Sequence, residues 1–472
     1  MFDTATTTPA TTSAAAPVVD RFTALRPQLE GDLLTVGDAE YDDARRTVSL
    51  RANRFPAAIV RAANAHDVAA AIRFARSHDL PLSVRSGGHS IPRLSVIDDA
   101  LVIDLSRMKR IDVDPATGIA RVEPGVTSGD LAGPAHAHGF ALTTGDTQSV
   151  GMGGLTTGGG IGYLVRKYGL TVDSLLSAEV VTADGGILTV GPRDHEDLFW
   201  AIRGGGGNMG VVTEFTYRLA PVSHIVGGLL VLPATHDVVR GYLDYVVQAP
   251  DELTTLADLT TAPELPFMPP EWVGRPVLMV LVAWCGTEED GARAVAPLRA
   301  LAEPVADLVG WIPYPAIYQF TAHLAEPHAA SIRMMFADEL SDAAIDAMIA
   351  GAASGPSPVN LIHLRGLGGA FSRVPSDATA FAHRDRRYFV AVIAVWMDAD
   401  DDPAPHEAWT TRLWDVLRPE STGVYVNFLE NEGPERVREA YPGATYERLA
   451  EIKRRYDPDN VFRFNQNVLP AS

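Results

Sequence analysis

In DVAAAIRFARSHDLPLSV (67–84), Val68, Ile72 and Ala75 return at helical spacing, and Asp67 stands where an N-cap belongs. Pro81 ends that helix, and PLSV opens a strand behind it. LVIDL (101–105) is an apolar run of strand length. RIDVDPATGIARVEP (110–124) alternates around Pro-Ala-Thr-Gly, which predicts a hairpin. A second hairpin is expected over SAEVVTADGGILTV (177–190), turning at Asp184-Gly185-Gly186. Between them, TSGDLAGPAHAHG (127–139) reads as a capped helix closed by Gly139. DHEDLFWAIRGGGGNMGVVTEFTYRLAP (194–221) reads as a short helix, a glycine loop and a strand.

After Pro221 the pattern changes. Glycine thins out, and strands such as VGGLLVLP (226–233), VLMVLVAWC (277–285) and RYFVAVIAVW (387–396) are interspersed with helices such as SDAAIDAMIAGA (341–352). Strands mixed with helices on one sheet predict an α+β unit. From Gly423 the texture shifts again, to YVNFL, helical stretches around PERVREAYPG and YERLAEIKRRY, and then DPDNVFRFNQN.

Composition narrows the function. The 472 residues exceed one ordinary core, so two domains or one large elaborated domain are expected. The formal net charge of −20 repels nucleic-acid phosphates and anionic membranes, which argues against both as partners. No apolar run reaches transmembrane length. The Thr/Ala/Pro-rich N-terminus lacks the regions of a secretory signal and is expected to be disordered up to Pro17; a cytoplasmic location follows. The single cysteine, Cys285, sits in an apolar run and reads as buried and inert. The histidines show no ligand spacing, so no metal is expected.

Three glycine-rich stretches, at 87–88, 151–162 and 204–210, demand a purpose. GGGNMG (205–210) fits the spacing of a dinucleotide fingerprint, but it follows a helix and opens a strand, the reverse of a Rossmann loop. Backbone amides of such loops bind phosphate without lysine, and the chain has only three lysines, at 109, 167 and 453. The first stretch, VRSGGHS (84–90), also places a histidine beside its glycines at a strand's end.

RSGGHS, GMGGLTTGGGIGYLVRKYGL, LFWAIRGGGGNMGVVTEF and YDPDNVFRFNQN, in that order, resemble the berberine-bridge-enzyme-like branch of the vanillyl-alcohol-oxidase flavoproteins. The match covers roughly residues 50–220 and 420–468, with looser likeness between, and the six-hydroxy-D-nicotine oxidases look nearest. The resemblance implies an α+β, two-domain flavoprotein. A lead-in (1–39) would be followed by a PCMH-type FAD-binding domain (40–220), an inserted α+β substrate domain (221–420) and a C-terminal return to the FAD domain (421–472).

It also implies roles. His89 looks like the covalent anchor of FAD, with the loop amides of Ser86, Gly87, Gly88 and Ser90 on the pyrophosphate. The cofactor set extends to Arg85, to Gln148, Ser149, Gly153 and Gly154, and to Gly158, Gly159 and Gly162. It closes with Gly210, Val211, Val212 and Asn465. Many members carry a second anchor, a cysteine, where this chain has Thr147, so attachment through His89 only is expected. Val150 occupies the position that gates oxygen in relatives, and valine there goes with oxidases. Arg166 and Lys167 could meet the reduced flavin or be solvated.

Tyr425 is the expected base and Asn427 a positioning group; a phenol needs a positive neighbour or the flavin dipole to act near neutrality. On the strand 387–396, Tyr388, Val390, Val392 and Ala394 are expected to face the flavin. Plant alcohol-oxidising relatives are polar there, so Val390 and Val392 imply an apolar or aromatic pocket and a substrate such as a neutral amine. The expected partners are a small-molecule substrate and O2, with the chain a monomer or homodimer. Three readings stay open: an FAD-linked oxidase, a dehydrogenase with another acceptor, and a flavin-binding protein without a reaction.

Overall fold

The computed structural model describes residues 21–472. The segment up to Pro17 lies outside the described residues. Helices and sheets are mixed throughout, giving an α+β fold.

The chain before Pro221 builds two sheets. The first has the order Asp32–Leu34, Ala58–Arg61, Leu101–Asp104, Leu82–Arg85; its last three strands run parallel. A helix, Ala65–Ser77, makes the crossover between parallel strands and packs Val68, Ile72 and Ala75 into the core with Val60, Leu82 and Ile103. Its cap is Asn64, whose side chain accepts from the amides of His66 and Asp67. Asp67 is therefore not the cap. Its buried carboxylate turns back to accept from the amides of Glu30, Gly31 and Ala63 at 2.8–2.9 Å. The second sheet is antiparallel, in the order Ile111–Asp114, Ile119–Val122, Val211–Arg218, Leu175–Val181, Ile187–Val190. The two expected hairpins are its flanks. The helix Ser128–His136 starts on a Thr127/Asp130 capping box.

Residues 224–396 supply an eight-stranded antiparallel sheet. Helices His236–Gln248, Glu288–Arg299, Asp342–Ser354 and Pro403–Leu417 cover one face through residues such as Tyr242, Val295, Ile345 and Trp409. The opposite face is buried too: Met334, Phe336, Phe389 and Ala391 share a core with Trp200, Phe381 and Tyr425. This corrects the expected orientation of the strand Tyr388–Trp396. Tyr388, Val390, Val392 and Ala394 point to the helices, and Phe389, Ala391 and Ile393 point to the glycine-loop half. With both faces buried, strict alternation shows two faces without telling which is which.

After Gly423 the chain passes through the 3-10 turn Val426–Phe428 and the helices Pro434–Ala440 and Ala444–Tyr456. It packs back on the first half, where Tyr441, Leu449 and Ile452 join the core of Trp200 and Met209. Lys453 and Asp457 form a fully buried ion pair at 3.0 Å. The Lys453 ammonium also donates to the carbonyls of Asn208 and Phe462, both at 2.9 Å, and so ties the C-terminal motif to the third glycine loop.

Candidate active site

The three glycine stretches and the C-terminal motif converge on one cavity of ≈ 270 Å³. Its first wall is the loop leaving the strand Leu82–Arg85: Ser86, Gly87, Gly88, His89 and Ser90. Val150, Gly153 and Gly154 stand against it, Gly210, Val211 and Val212 line a further wall, and Asn427 and Asn465 close the C-terminal side. Gly87 lets two of these loops touch, because a Cβ there would run into the backbone of Gly151.

His89 is mostly buried, and its Nε2 lies 2.8 Å from Ser149 Oγ. No described residue pairs with its Nδ1. Burial first, then the nearby His328, holds its pKa down to about 4 against the pull of Asp146, so the ring is neutral near pH 7. A neutral imidazole nitrogen is a nucleophile.

Tyr425 lies just behind the wall, buried. Its hydroxyl accepts from the Gly160 amide and from Asn427 Nδ2, both at 2.9 Å. Burial pushes its pKa up to about 12, outweighing these two donors and the charge of Arg365. The phenol is therefore protonated at neutrality in the chain by itself. Asn427 also donates to the carbonyls of Gly154 and Leu155 at 3.3 Å, fixing the phenol relative to the second glycine loop.

Several residues assigned to the cofactor lie off the cavity wall. Arg85 turns away to the Ala44 carbonyl and towards Asp104, 3.6 Å from its carboxylate. Gln148 meets the helix Ser128–His136 through its carbonyl, which accepts from the Gly129 amide. Ser149 acts through His89. Gly158 and Gly159 make room for Asn427 and Phe381, and Gly162 for the Thr144 backbone. Arg166 and Lys167 are spent on carbonyls: Arg166 on Leu367 and Ala249, Lys167 on Cys285. Cys285 is buried, and burial pushes its thiol up to about 12.

Other wall residues were not singled out from the sequence. Tyr441, Asn208, Phe462, Phe464 and Gln466 all line the cavity. Four of them flank positions already in view, in GGGNMG and FRFNQN; Tyr441, in AYPG, carries no local signal.

On the side of the large sheet stands a polar chain that was also missed. Asp258 Oδ1 lies 2.7 Å from His363 Nδ1, His363 Nε2 accepts from Arg365 Nε at 2.6 Å, and Arg365 Nη2 pairs with Asp146. Asp146 belongs to the same loop as Ser149 and Val150. Burial works to raise its pKa, but Arg365 and then His363 hold it below the usual carboxylate range.

The cavity fits a flavin dinucleotide. The Tyr441 hydroxyl and the Asn465 side-chain oxygen are buried on its wall with no hydrogen-bond partner. Ser95 Oγ is in the same condition. Unpaired buried polar atoms call for a polar ligand. The amides from Ser86 to Ser90 would hold its phosphates, His89 its ring, and Asn465 and Tyr441 its polar edges.

Comparison with known proteins agrees. Residues 56–191 match the FAD binding domain family, and residues 424–469 the berberine and berberine like family. The FAD-linked oxidoreductase YgaK of Bacillus subtilis is 32% identical over 94% of this chain and 98% of its own. The (R)-6-hydroxynicotine oxidase of Paenarthrobacter nicotinovorans is 31% identical over 94% of this chain and 97% of its own. Among solved structures, 6-hydroxy-D-nicotine oxidase from Arthrobacter nicotinovorans superposes with a TM-score of 0.84 at 28% identity, covering 94% of this chain and 98% of that one. Berberine bridge enzyme from Eschscholzia californica shares the fold, with a TM-score of 0.84 at 23% identity over 96% of this chain and 99% of that one. The cavity, its unpaired polar wall and these relatives lead to one assignment: the chain belongs to the berberine-bridge-enzyme-like family and is an FAD-dependent oxidoreductase.

Proposed function

We propose that the chain is an oxidase. It takes a hydride from a small amine or alcohol, cyclic or aromatic, and passes the electrons to O2, giving H2O2. FAD is attached through His89 only. The reading divides the chain as follows: residues 40–220 and 421–472 hold FAD, 221–420 hold the substrate, and 1–39 lead in. The cytoplasm is the proposed location.

One observation carries this reading. His89, Val150 and Asn427 face one cavity, and Asn427 ties the Tyr425 phenol to it. A nucleophile for the cofactor, an oxygen gate and a proton-handling group thereby meet at one centre.

When bound, the flavin supplies two-electron acceptance from substrate and delivery to oxygen. The residues supply the rest. Ser149 holds the His89 ring in place. Thr147, buried, offers no thiol for a second bond. Val150 presents a small apolar surface to the cavity. The Tyr425 hydroxyl accepts two hydrogen bonds and is coupled to the cavity through Asn427. As a base it needs more than Arg365 supplies, because burial dominates. The substrate loses two electrons and two protons, and oxygen gains both as peroxide.

The test is an anaerobic screen of amines, alcohols and sugars for bleaching of the flavin, followed by a peroxide assay in air. Bleaching with stoichiometric peroxide supports the oxidase. Bleaching with slow reoxidation in air makes the chain a dehydrogenase with another acceptor.

A further inference from the structure

Four arginines are buried among the described residues: Arg166, Arg365, Arg384 and Arg436. Three have both terminal nitrogens satisfied. Arg166 donates to the Leu367 and Ala249 carbonyls, Arg384 grips both carboxylate oxygens of Asp173, and Arg436 bonds Glu439 and the Met334 carbonyl. Arg365 differs. It is 4% exposed, its Nε is on His363 and its Nη2 on Asp146, but no described residue accepts from Nη1. Nη1 is not among the buried atoms left unpaired, so this N–H opens onto space that a ligand can enter.

This group lies on the sheet face turned towards the glycine-loop half. Ile362 and Leu364 face the helices, so His363 and Arg365, alternating with them, face the other way. The guanidinium lies 5.2 Å above the Phe389 ring. Phe389 meets Phe428 edge-on at 4.9 Å, and Phe428 stacks on Tyr425 at 5.9 Å. Arg365 and the Tyr425 phenol thus belong to one aromatic frame. The head group is also held still. His363 Nε2 accepts from it, so the imidazole proton is on Nδ1 and directed at Asp258.

We propose that Arg365 is a specificity-determining residue whose Nη1 donates to a neutral oxygen acceptor, a carbonyl or hydroxyl, on the substrate. This rests on the flavoenzyme reading above. The charge count selects a neutral group. Asp146 already pairs with the guanidinium, and Asp258 adds a second carboxylate behind His363, so a substrate anion meets two negative charges against one positive. A cation has no acceptor at Nη1. The expected apolar or aromatic pocket would then carry one fixed donor.

The test uses the purified full chain with its flavin oxidised. Benzamide, benzoate and benzyltrimethylammonium are titrated separately while the flavin absorbance is recorded. Benzamide is expected to bind tightest. Arg365→Met should weaken it about tenfold or more, the scale of a hydrogen bond from a charged donor. Arg365→Lys keeps the charge for Asp146 but loses the fork, and should show the same loss. Asp146→Asn should raise benzoate affinity by freeing the guanidinium charge. Benzamide binding equally to wild type and both Arg365 variants overturns the proposal, as does no benzamide binding, or tightest binding of either charged probe. Flavin content is read first: wild-type protein without flavin refutes the flavoenzyme reading, whereas intact flavin with unaltered benzamide binding refutes this proposal alone.

Discussion

Ser149 Oγ lies 2.8 Å from His89 Nε2, and that one contact decides which face of the imidazole is available for chemistry. Attachment at Nδ1 requires Nε2–H to be donated to this hydroxyl, which leaves the Nδ1 lone pair free. Ser149→Ala should therefore slow flavin attachment several-fold, on the scale of one neutral hydrogen bond, about 1 kcal/mol. Flavin fluorescence of the denatured protein band over time measures it. An unchanged rate would make Ser149 a packing residue.

Val150 borders the cavity beside the loop of His89. Val150→Leu should slow reoxidation by oxygen much more than reduction by substrate, since a larger gate blocks oxygen without moving the hydride path. Stopped-flow traces of the two half-reactions separate the effects. Equal slowing of both points to overpacking.

Tyr425→Phe removes the acceptor of the Gly160 amide and of Asn427. The buried amide left without an acceptor should lower stability by about 1–3 kcal/mol while flavin stays attached. Anaerobic flavin reduction should fall at least about tenfold, at the low end for general acid–base chemistry. Reduction at the wild-type rate across the pH range would take the phenol out of the reaction.

Acid should weaken the fold through His383. Its ring is buried against Phe336 at 5.1 Å, and burial holds its pKa down to about 4. Between pH 6.5 and about 4 the unfolded chain binds a proton that the native state refuses. Stability from this group is complete above pH 6.5 and declines as pH falls towards 4, by up to about 3 kcal/mol. Urea denaturation at several pH values should show a shallower slope for His383→Gln than for wild type. Identical slopes would assign the acid sensitivity elsewhere.

Much of this architecture was legible in local patterns. Val68, Ile72 and Ala75 marked their helix, the turns at 115–118 and 184–186 marked their hairpins, and glycine runs beside His89 marked the cavity. What local patterns could not carry was long-range pairing. Asn64 and Asp67 both suit a cap, and the amides of Glu30 and Gly31, far upstream, join that of Ala63 in claiming Asp67. Phe389 and Val390 are equally apolar, and their faces are assigned by what packs on each side. Arg365 and Asp146, 219 residues apart, look like surface charges until the sheet meets the loop. Likewise the contacts of Arg85 with Asp104 and the Ala44 carbonyl join positions that no local pattern relates.

The most direct measurement is mass spectrometry of a proteolytic digest of the purified protein. One FAD should appear on the peptide containing His89, and the peptide containing Thr147 should carry none. Release of free FAD on acid precipitation, or flavin on any other peptide, would contradict a cofactor tethered once, at His89.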